Sequence, residues 1–273
     1  MGKFDGILIC TDLDGTLIGR GGKISEENIE AIEYFKKEGG YFTFVTGRMP
    51  FIVEHIYNAV KPNAPIGCIN GGGLYDFEKR EYIWAQMLAD GVDELLSAVE
   101  ERVPTVGFQV NTLKNCYFCK ENVIMERFRR GTGLPNLTAD YKNFSEPICR
   151  ALFGCETEEE IVAVENILRS HPKADDFFFI RSEKVLFEIV AKGMNKGVSI
   201  TKLAEYLDLD PKKTVAIGDY NNDIPMFEAS GLGIAVANAC ADAKAAADFI
   251  TVSNLDHAVA KVIYDMEKGV YPL

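Results

Sequence analysis

At 273 residues, 47% of them hydrophobic, the chain is long enough for one large domain or two moderate ones, each with its own core. A net charge of −12 argues against nucleic acid as a partner, because neutralising a phosphate backbone requires a basic face, although a small anion can still be held by a local cation cluster. No apolar run approaches the ~20 residues that cross a bilayer. The opening Met1-Gly2-Lys3-Phe4-Asp5 lacks a signal-peptide pattern, so no membrane partner and a cytoplasmic location are expected.

The first predicted strand, Gly6 to Cys10, ends abruptly in Asp12 and Asp14, followed by Gly15 and Thr16. Such a tip places both acids in the crevice at the carboxyl end of a parallel sheet. Two carboxylates this close repel unless a cation neutralises one or a proton sits on the other. Both remedies have a chemical use: a carboxylate beside Mg²⁺ can attack phosphorus, and its neighbour can protonate a leaving alcohol. Taken alone, the same residues also suit an ordinary turn, so the rest of the chain decides.

Ser25 is placed to cap a helix with Ile29, Ile32 and Phe35 on one face and Gly39-Gly40 at its end. Tyr41 to Val45 reads as a second strand, ending in Thr46-Gly47-Arg48, and Pro50 opens the next helix, Phe51 to Ala59. Ile66 to Ile69 reads as a third strand, with Asn70-Gly71-Gly72-Gly73 at its tip as a turn. Alternating strands and helices with polar tips at one end predict a doubly wound α/β core.

The pattern then changes. Helices over Asp90 to Arg102, Asn122 to Arg130 and Thr157 to Arg169 are mixed with strands over Val106 to Val110, Asn115 to Cys119, Ile148 to Gly154, Phe177 to Ile180 and Val185 to Val190. Without strict alternation this predicts an inserted α+β domain over residues 82–188, flanked by core segments 1–81 and 189–273. The insert is net acidic. Its Arg127, Arg129 and Arg130 cluster suits a solvated helix face better than an anion site. Thr157 to Glu160 is a capping box rather than a catalytic group. The seven cysteines, an odd number with several inside apolar runs, fit free thiols in a reducing compartment. The Cys116-Tyr117-Phe118-Cys119 spacing admits a zinc site with Cys149 and Cys155, but the intervening aromatics suit a strand better.

The α/β pattern returns with a helix opened by Asn195-Lys196-Gly197-Val198, and a strand Thr214 to Ile217 ending in Gly218-Asp219-Tyr220-Asn221-Asn222-Asp223. A strand at Leu232 to Val236, an alanine-rich helix near Ala239 to Ala247, a strand at Phe249 to Val252 and a helix from Asp256 to Glu267 complete it. Remote tips therefore carry related chemistry. Asp12 and Asp219 with one backbone carbonyl supply hard oxygen ligands for Mg²⁺, and Asp223 is expected to hold a metal-bound water. Lys196 and the Thr46 hydroxyl supply positive charge and a donor for phosphate oxygens.

These residues resemble the haloacid dehalogenase-like hydrolase superfamily, and within it the Cof-type phosphatases with a type-IIB cap. Four motifs carry the likeness: Asp12-Leu13-Asp14-Gly15-Thr16-Leu17, Thr46-Gly47-Arg48, Lys196-Gly197 and Gly218 to Asp223. Asn70-Gly71-Gly72 and Asn238-Ala239 also match, whereas Val236-Ala237 stands where the subfamily often has Met-Gly. Only 34 positions separate Asp12 from Thr46, against 150 from Thr46 to Lys196, which fits the type-IIB insertion point.

The resemblance implies a Rossmann-like parallel-sheet core with an inserted cap that selects the substrate. It further implies Mg²⁺ as cofactor, Asp12 as nucleophile forming an aspartyl-phosphate, Asp14 as acid and base, and Lys196 as the catalytic cation. The implied metal set is Asp12, Asp14 through its carbonyl, Asp219 and Asp223. The implied phosphate set is Thr46, Gly47, Arg48, Asn70, Lys196 and Asn222. A phosphatase of small phosphorylated metabolites, sugar phosphates foremost, is expected. A phosphomannomutase-like phosphomutase and a non-catalytic phospho-ligand-binding protein are the alternatives.

Overall fold

A computed structural model describes residues 2–272. The first apolar run forms β1 (Leu8–Thr11), buried throughout. The Ser25 hydroxyl accepts from the Asn28 N–H to start α1 (Glu26–Lys37). Then come β2 (Tyr41–Phe44), α2 (Pro50–Val60) with Pro50 in its first turn, and β3 (Ile66–Cys68). A hairpin that the sequence reading lacks follows: β4 (Gly73–Asp76) and β5 (Glu81–Ala85). The middle of the chain runs α3 (Val92–Arg102), β6 (Gly107–Asn111), β7 (Cys116–Lys120), α4 (Val123–Thr132), β8 (Arg150–Gly154), α5 (Glu158–Arg169), β9 (Phe177–Glu183) and β10 (Leu186–Ala191). The last stretch is α6 (Lys196–Leu207), β11 (Thr214–Gly218), α7 (Ile224–Ala229), β12 (Leu232–Ala235), α8 (Ala241–Ala246), β13 (Phe249–Ile250) and α9 (Ala258–Glu267).

The chain divides into two units, one running through Trp84 and resuming at Asn195, the other Ala85–Met194. Both boundaries differ from the expected 82–188. β5 is hydrogen-bonded into the sheet β3-β4-β5 and so stays with the first unit, while β10 pairs with β9 as far as Ala191. Residues 189–191 therefore belong to the second unit rather than to the resuming core.

In the first unit the sheet order is β13-β12-β11-β1-β2, with every pairing parallel. β1 lies between β11 and β2, and the chain leaves it towards β2 on one side while β11 lies on the other, which is the switch point where such sheets open a crevice. Thr11 is level with both Phe44 and Ile217, so the residues after β1, β2 and β11 emerge side by side. β3 is the expected third strand. It meets the main sheet in parallel at the bridge Val45 to Gly67, and at the expected turn over Asn70–Gly73 it folds back into the antiparallel β4.

The second unit is an antiparallel sheet, β7-β6-β8-β10-β9. Alternation sends Phe108, Val110, Phe153, Phe187 and Ile189 to the face packed against Leu95, Leu96 and Val99 of α3 and Ile161, Val164 and Leu168 of α5. The opposite face carries Phe118, Leu152 and Leu186 against Ile124 and Met125 of α4. Cys116 and Cys119 lie on β7 at positions of opposite parity, so they face opposite sides of the sheet, and all seven cysteines are free. Arg129 and Arg130 pair with Glu121 and Glu126, as a solvated helix face should. Among the described residues no helix is long and apolar enough to cross a membrane.

Candidate active site

The site lies within the first unit, at the carboxyl ends of β1, β2 and β11. Asp12 continues the β1 ladder by donating its N–H to the Ile217 carbonyl at 2.8 Å, which fixes its backbone against β11. Lys196 is the first residue of α6, whose start is set by the Asn195 side chain accepting from the Val198 N–H. Although 2% exposed, Lys196 reaches both Oδ1 of Asp12 and Oδ1 of Asp223 at 2.5 Å.

The other oxygen of Asp223 accepts from the N–H groups of Asp219 at 2.9 Å and Tyr220 at 3.0 Å. One buried carboxylate thus folds the 219–223 loop and docks it on the ammonium. Both oxygens of Asp223 have protein partners, and the carboxylate still stands in an acidic cluster with Asp12 and Asp219. Asp219 is steadied by the Thr16 hydroxyl, which donates to its Oδ1 at 2.8 Å. Gly15, at φ +84°, lets that loop lie against the same carboxylate: a Cβ there would stand 2.6 Å from Oδ2 of Asp219. Thr16 was quoted in the sequence motif but given no role, and its place directly after Asp-Leu-Asp-Gly was the available signal.

An oxygen from each of Asp12, Asp219 and Asp223 lies within 4.8 Å of the others. Burial raises the Asp12 carboxyl well above its usual range, opposed by the Lys196 charge and reinforced by Asp223, Asp219 and Asp14. Burial, then Asp223, pushes Asp219 up to about 6 against the Thr16 hydrogen bond. Lys196 is raised in spite of its burial, because the charges of Asp12 and Asp223 outweigh desolvation. One ammonium faces three carboxyls, so their ionised forms are only partly compensated, and the unpartnered donors are oxygens. That donor set fits a hard divalent cation such as Mg²⁺.

The Asp14 carboxylate is not in this cluster. It takes a two-point fork from Arg48, Nε at 2.8 Å and Nη2 at 2.6 Å, on the more open side, where Asp14 is 43% exposed. The Thr46 hydroxyl, 1% exposed, accepts from the Arg48 N–H at 3.1 Å and so shapes its own loop. Gly47 lies against the Asn70 amide: a Cβ on it would come within 2.8 Å of Nδ2. Asn70 is fully buried and accepts from the Asn222 amide at 3.1 Å. Sequence reasoning gave no role to Asn238 and Asn254. Their amides donate to the carbonyls of Gly15 and Ile18, pinning both ends of the loop that holds Asp219.

Residues 9–263 match the haloacid dehalogenase-like hydrolase family. The chain belongs to that family. Among its relatives, the 5-amino-6-(5-phospho-D-ribitylamino)uracil phosphatase YitU of Bacillus subtilis is 26% identical, the match covering 94% of this chain and 96% of the relative. The phosphatase YwpJ, also of Bacillus subtilis, is 26% identical over 94% of this chain and 98% of the relative. A haloacid dehalogenase-like hydrolase from Bacteroides thetaiotaomicron has the same fold, with a TM-score of 0.83 at 24% identity over 95% of this chain and 99% of that one. The chain is a phosphatase of that family.

Proposed function

We propose that the chain is a Mg²⁺-dependent phosphatase of small phosphorylated metabolites, with sugar and sugar-alcohol phosphates the leading class, acting through an aspartyl-phosphate on Asp12. The observation that carries this reading is the convergence of the buried Asp12, Lys196 and Asp223 with the half-buried Asp219 from three separate chain segments. Asp12 and Asp219 would hold the metal, which when bound neutralises the excess negative charge and polarises the phosphoryl oxygens. The free Asp12 oxygen attacks phosphorus as the ester P–O bond breaks, and Asp14 gives its proton to the departing alkoxide oxygen. In the second half Asp14 takes a proton from water, whose oxygen attacks phosphorus and returns Asp12 as a carboxylate. Lys196 keeps Asp12 oriented and ionised, and the Thr46–Arg48 loop with Asn222 lines the phosphoryl position. Because Arg48 holds the Asp14 carboxylate, that fork opens as the leaving group arrives.

The substrate class is supported by YitU, named for a phosphoribityl compound. A cytoplasmic location belongs to the same reading and is supported by the seven free cysteines. Phosphate release measured over sugar phosphates, sugar-alcohol phosphates, nucleotides and phosphoglycolate, with Mg²⁺ and with a chelator, tests it. Turnover that survives chelation, or full activity in Asp12→Asn, would overturn the mechanism.

A further inference from the structure

The turn after β3 is built against its own sequence. Ile69 has φ +56° and Asn70 φ +49°, two successive left-handed residues, the first of them β-branched, a conformation that side chains other than glycine rarely accept. Such an arrangement persists only where its surroundings over-determine it, and here three sets of contacts do so. The N–H groups of Ile69 and Asn70 donate to the carbonyls of Arg48 at 3.3 Å and Thr46 at 3.2 Å. The side-chain oxygen of Asn70, Oδ1, accepts from the Asn222 side-chain amide at 3.1 Å. Gly71, at φ +94°, lies flat on the backbone of Asn195: a Cβ there would stand 1.8 Å from the Asn195 oxygen. One turn of three residues therefore touches the loop after β2, the loop after β11 and the residue that caps the Lys196 helix.

We propose that Asn70 is a positioning residue, which acts through Asn222 and the Thr46–Arg48 loop rather than on the phosphoryl group itself. Its burial bears this out, since a fully buried amide engaged by Asn222 is turned towards protein. By accepting from one hydrogen of the Asn222 amide it fixes the plane of that amide and the direction of the other hydrogen. By filling the space over Gly47, where only a glycine leaves room, it sets how closely the second loop approaches. The left-handed turn is the geometry that lets one side chain reach both. The inference rests on the reading of this site as a phosphoryl pocket.

The test is a double-mutant cycle on Asn70→Ala and Asn222→Ala, with kcat and KM measured on p-nitrophenyl phosphate, inhibition by inorganic phosphate, and Mg²⁺ affinity by calorimetry. Each single variant is expected to lose roughly ten- to a hundredfold in kcat, the cost of misplacing a group by about an ångström. Phosphate inhibition should weaken, Mg²⁺ affinity should stay within about twofold, and the double variant should lose hardly more than either single one. Asn70→Gly separates positioning from strain. It fits the left-handed turn and keeps the melting point, yet should lose as much kcat as Asn70→Ala. Wild-type kcat in the folded Asn70→Gly, or losses that simply multiply in the double variant, would overturn the proposal. Inactivity of Asp12→Asn alongside unaffected Asn70 variants would refute this inference while leaving the phosphatase mechanism in place.

Discussion

Replacing Lys196 by Met keeps the length and apolar stem of the side chain and deletes only its ammonium. That nitrogen sits 2.5 Å from an oxygen of Asp12 and 2.5 Å from one of Asp223, and all three side chains are less than a tenth exposed. Breaking one buried pair by removing a partner costs about 3–5 kcal/mol, because the remaining charge is left in a medium that cannot solvate it. Two carboxylates lose the same partner here, which places the expected cost towards the upper end, about 4–5 kcal/mol. At roughly 2–4 °C per kcal/mol for a body of this size, the metal-free melting transition of the first unit should fall by roughly 8–20 °C.

The loss has a pH signature. Burial already raises the Asp12 carboxyl against the Lys196 charge, so without the ammonium the folded Asp12 holds its proton to higher pH than it does unfolded, and the variant's stability falls as pH rises above about 4. The Lys196 pKa is itself raised, so in the wild type its contribution is complete through neutral pH and disappears only above the ordinary lysine range. The gap between wild type and variant therefore widens as pH rises above the ordinary carboxylate range. Differential scanning calorimetry in EDTA measures it. A variant melting within about 2 °C of wild type at about pH 8, or a gap that narrows with rising pH, would refute the reasoning.

Gly71→Ala forces a Cβ onto the Asn195 oxygen at a left-handed position, and should cost roughly 2–4 kcal/mol in urea unfolding while lowering kcat through the cap of the Lys196 helix. Thr157→Ala removes the hydroxyl that accepts from the Glu160 N–H at the start of α5; it should destabilise the second unit by about 1 kcal/mol, read by denaturant midpoint, and leave Mg²⁺ affinity unchanged. Burial pushes the thiols of Cys149 and Cys155 up to about 12, so near neutral pH they carry almost no thiolate. Iodoacetamide on the native protein should modify the partly exposed Cys240 well before either, and mass spectrometry that finds Cys149 alkylated first would contradict the packing of the second unit.

The parts of the fold that were legible in the sequence are those where a long apolar run ends in polar residues. β1, β2 and β11 fall where Leu8, Phe42 and Val215 stand in buried runs, and α1 and α5 begin at the hydroxyls that cap them. The β4–β5 hairpin escaped because its strands are only half-buried, so Tyr82, Ile83 and Trp84 show neither clean alternation nor a sealed run. The six-residue α7 is too short for a helical period to register, and Pro225 near its start looks like a break.

At the site, residue type and spacing were enough to single out Asp12, Lys196, Asp219 and Asp223, since their chemistry is unusual at a strand tip or a buried helix start. The Asp14–Arg48 fork was not legible, because both residues were read separately and only the side-by-side exit of β1 and β2 brings them together. Nothing in an isoleucine announces a left-handed backbone, so Ile69 could not be foreseen. The strain there is imposed by the loops it touches, not by its own preference.

The most direct measurement traps the covalent state. The enzyme is mixed with Mg²⁺ and a reactive phosphate ester, quenched, reduced with borohydride to convert an acyl phosphate to an alcohol, and mapped by peptide mass spectrometry. Homoserine is expected at position 12 and at no other acid, dependent on both ester and Mg²⁺. Reduction at Asp14 or Asp219 instead, or rapid turnover with position 12 never modified, would contradict that expectation.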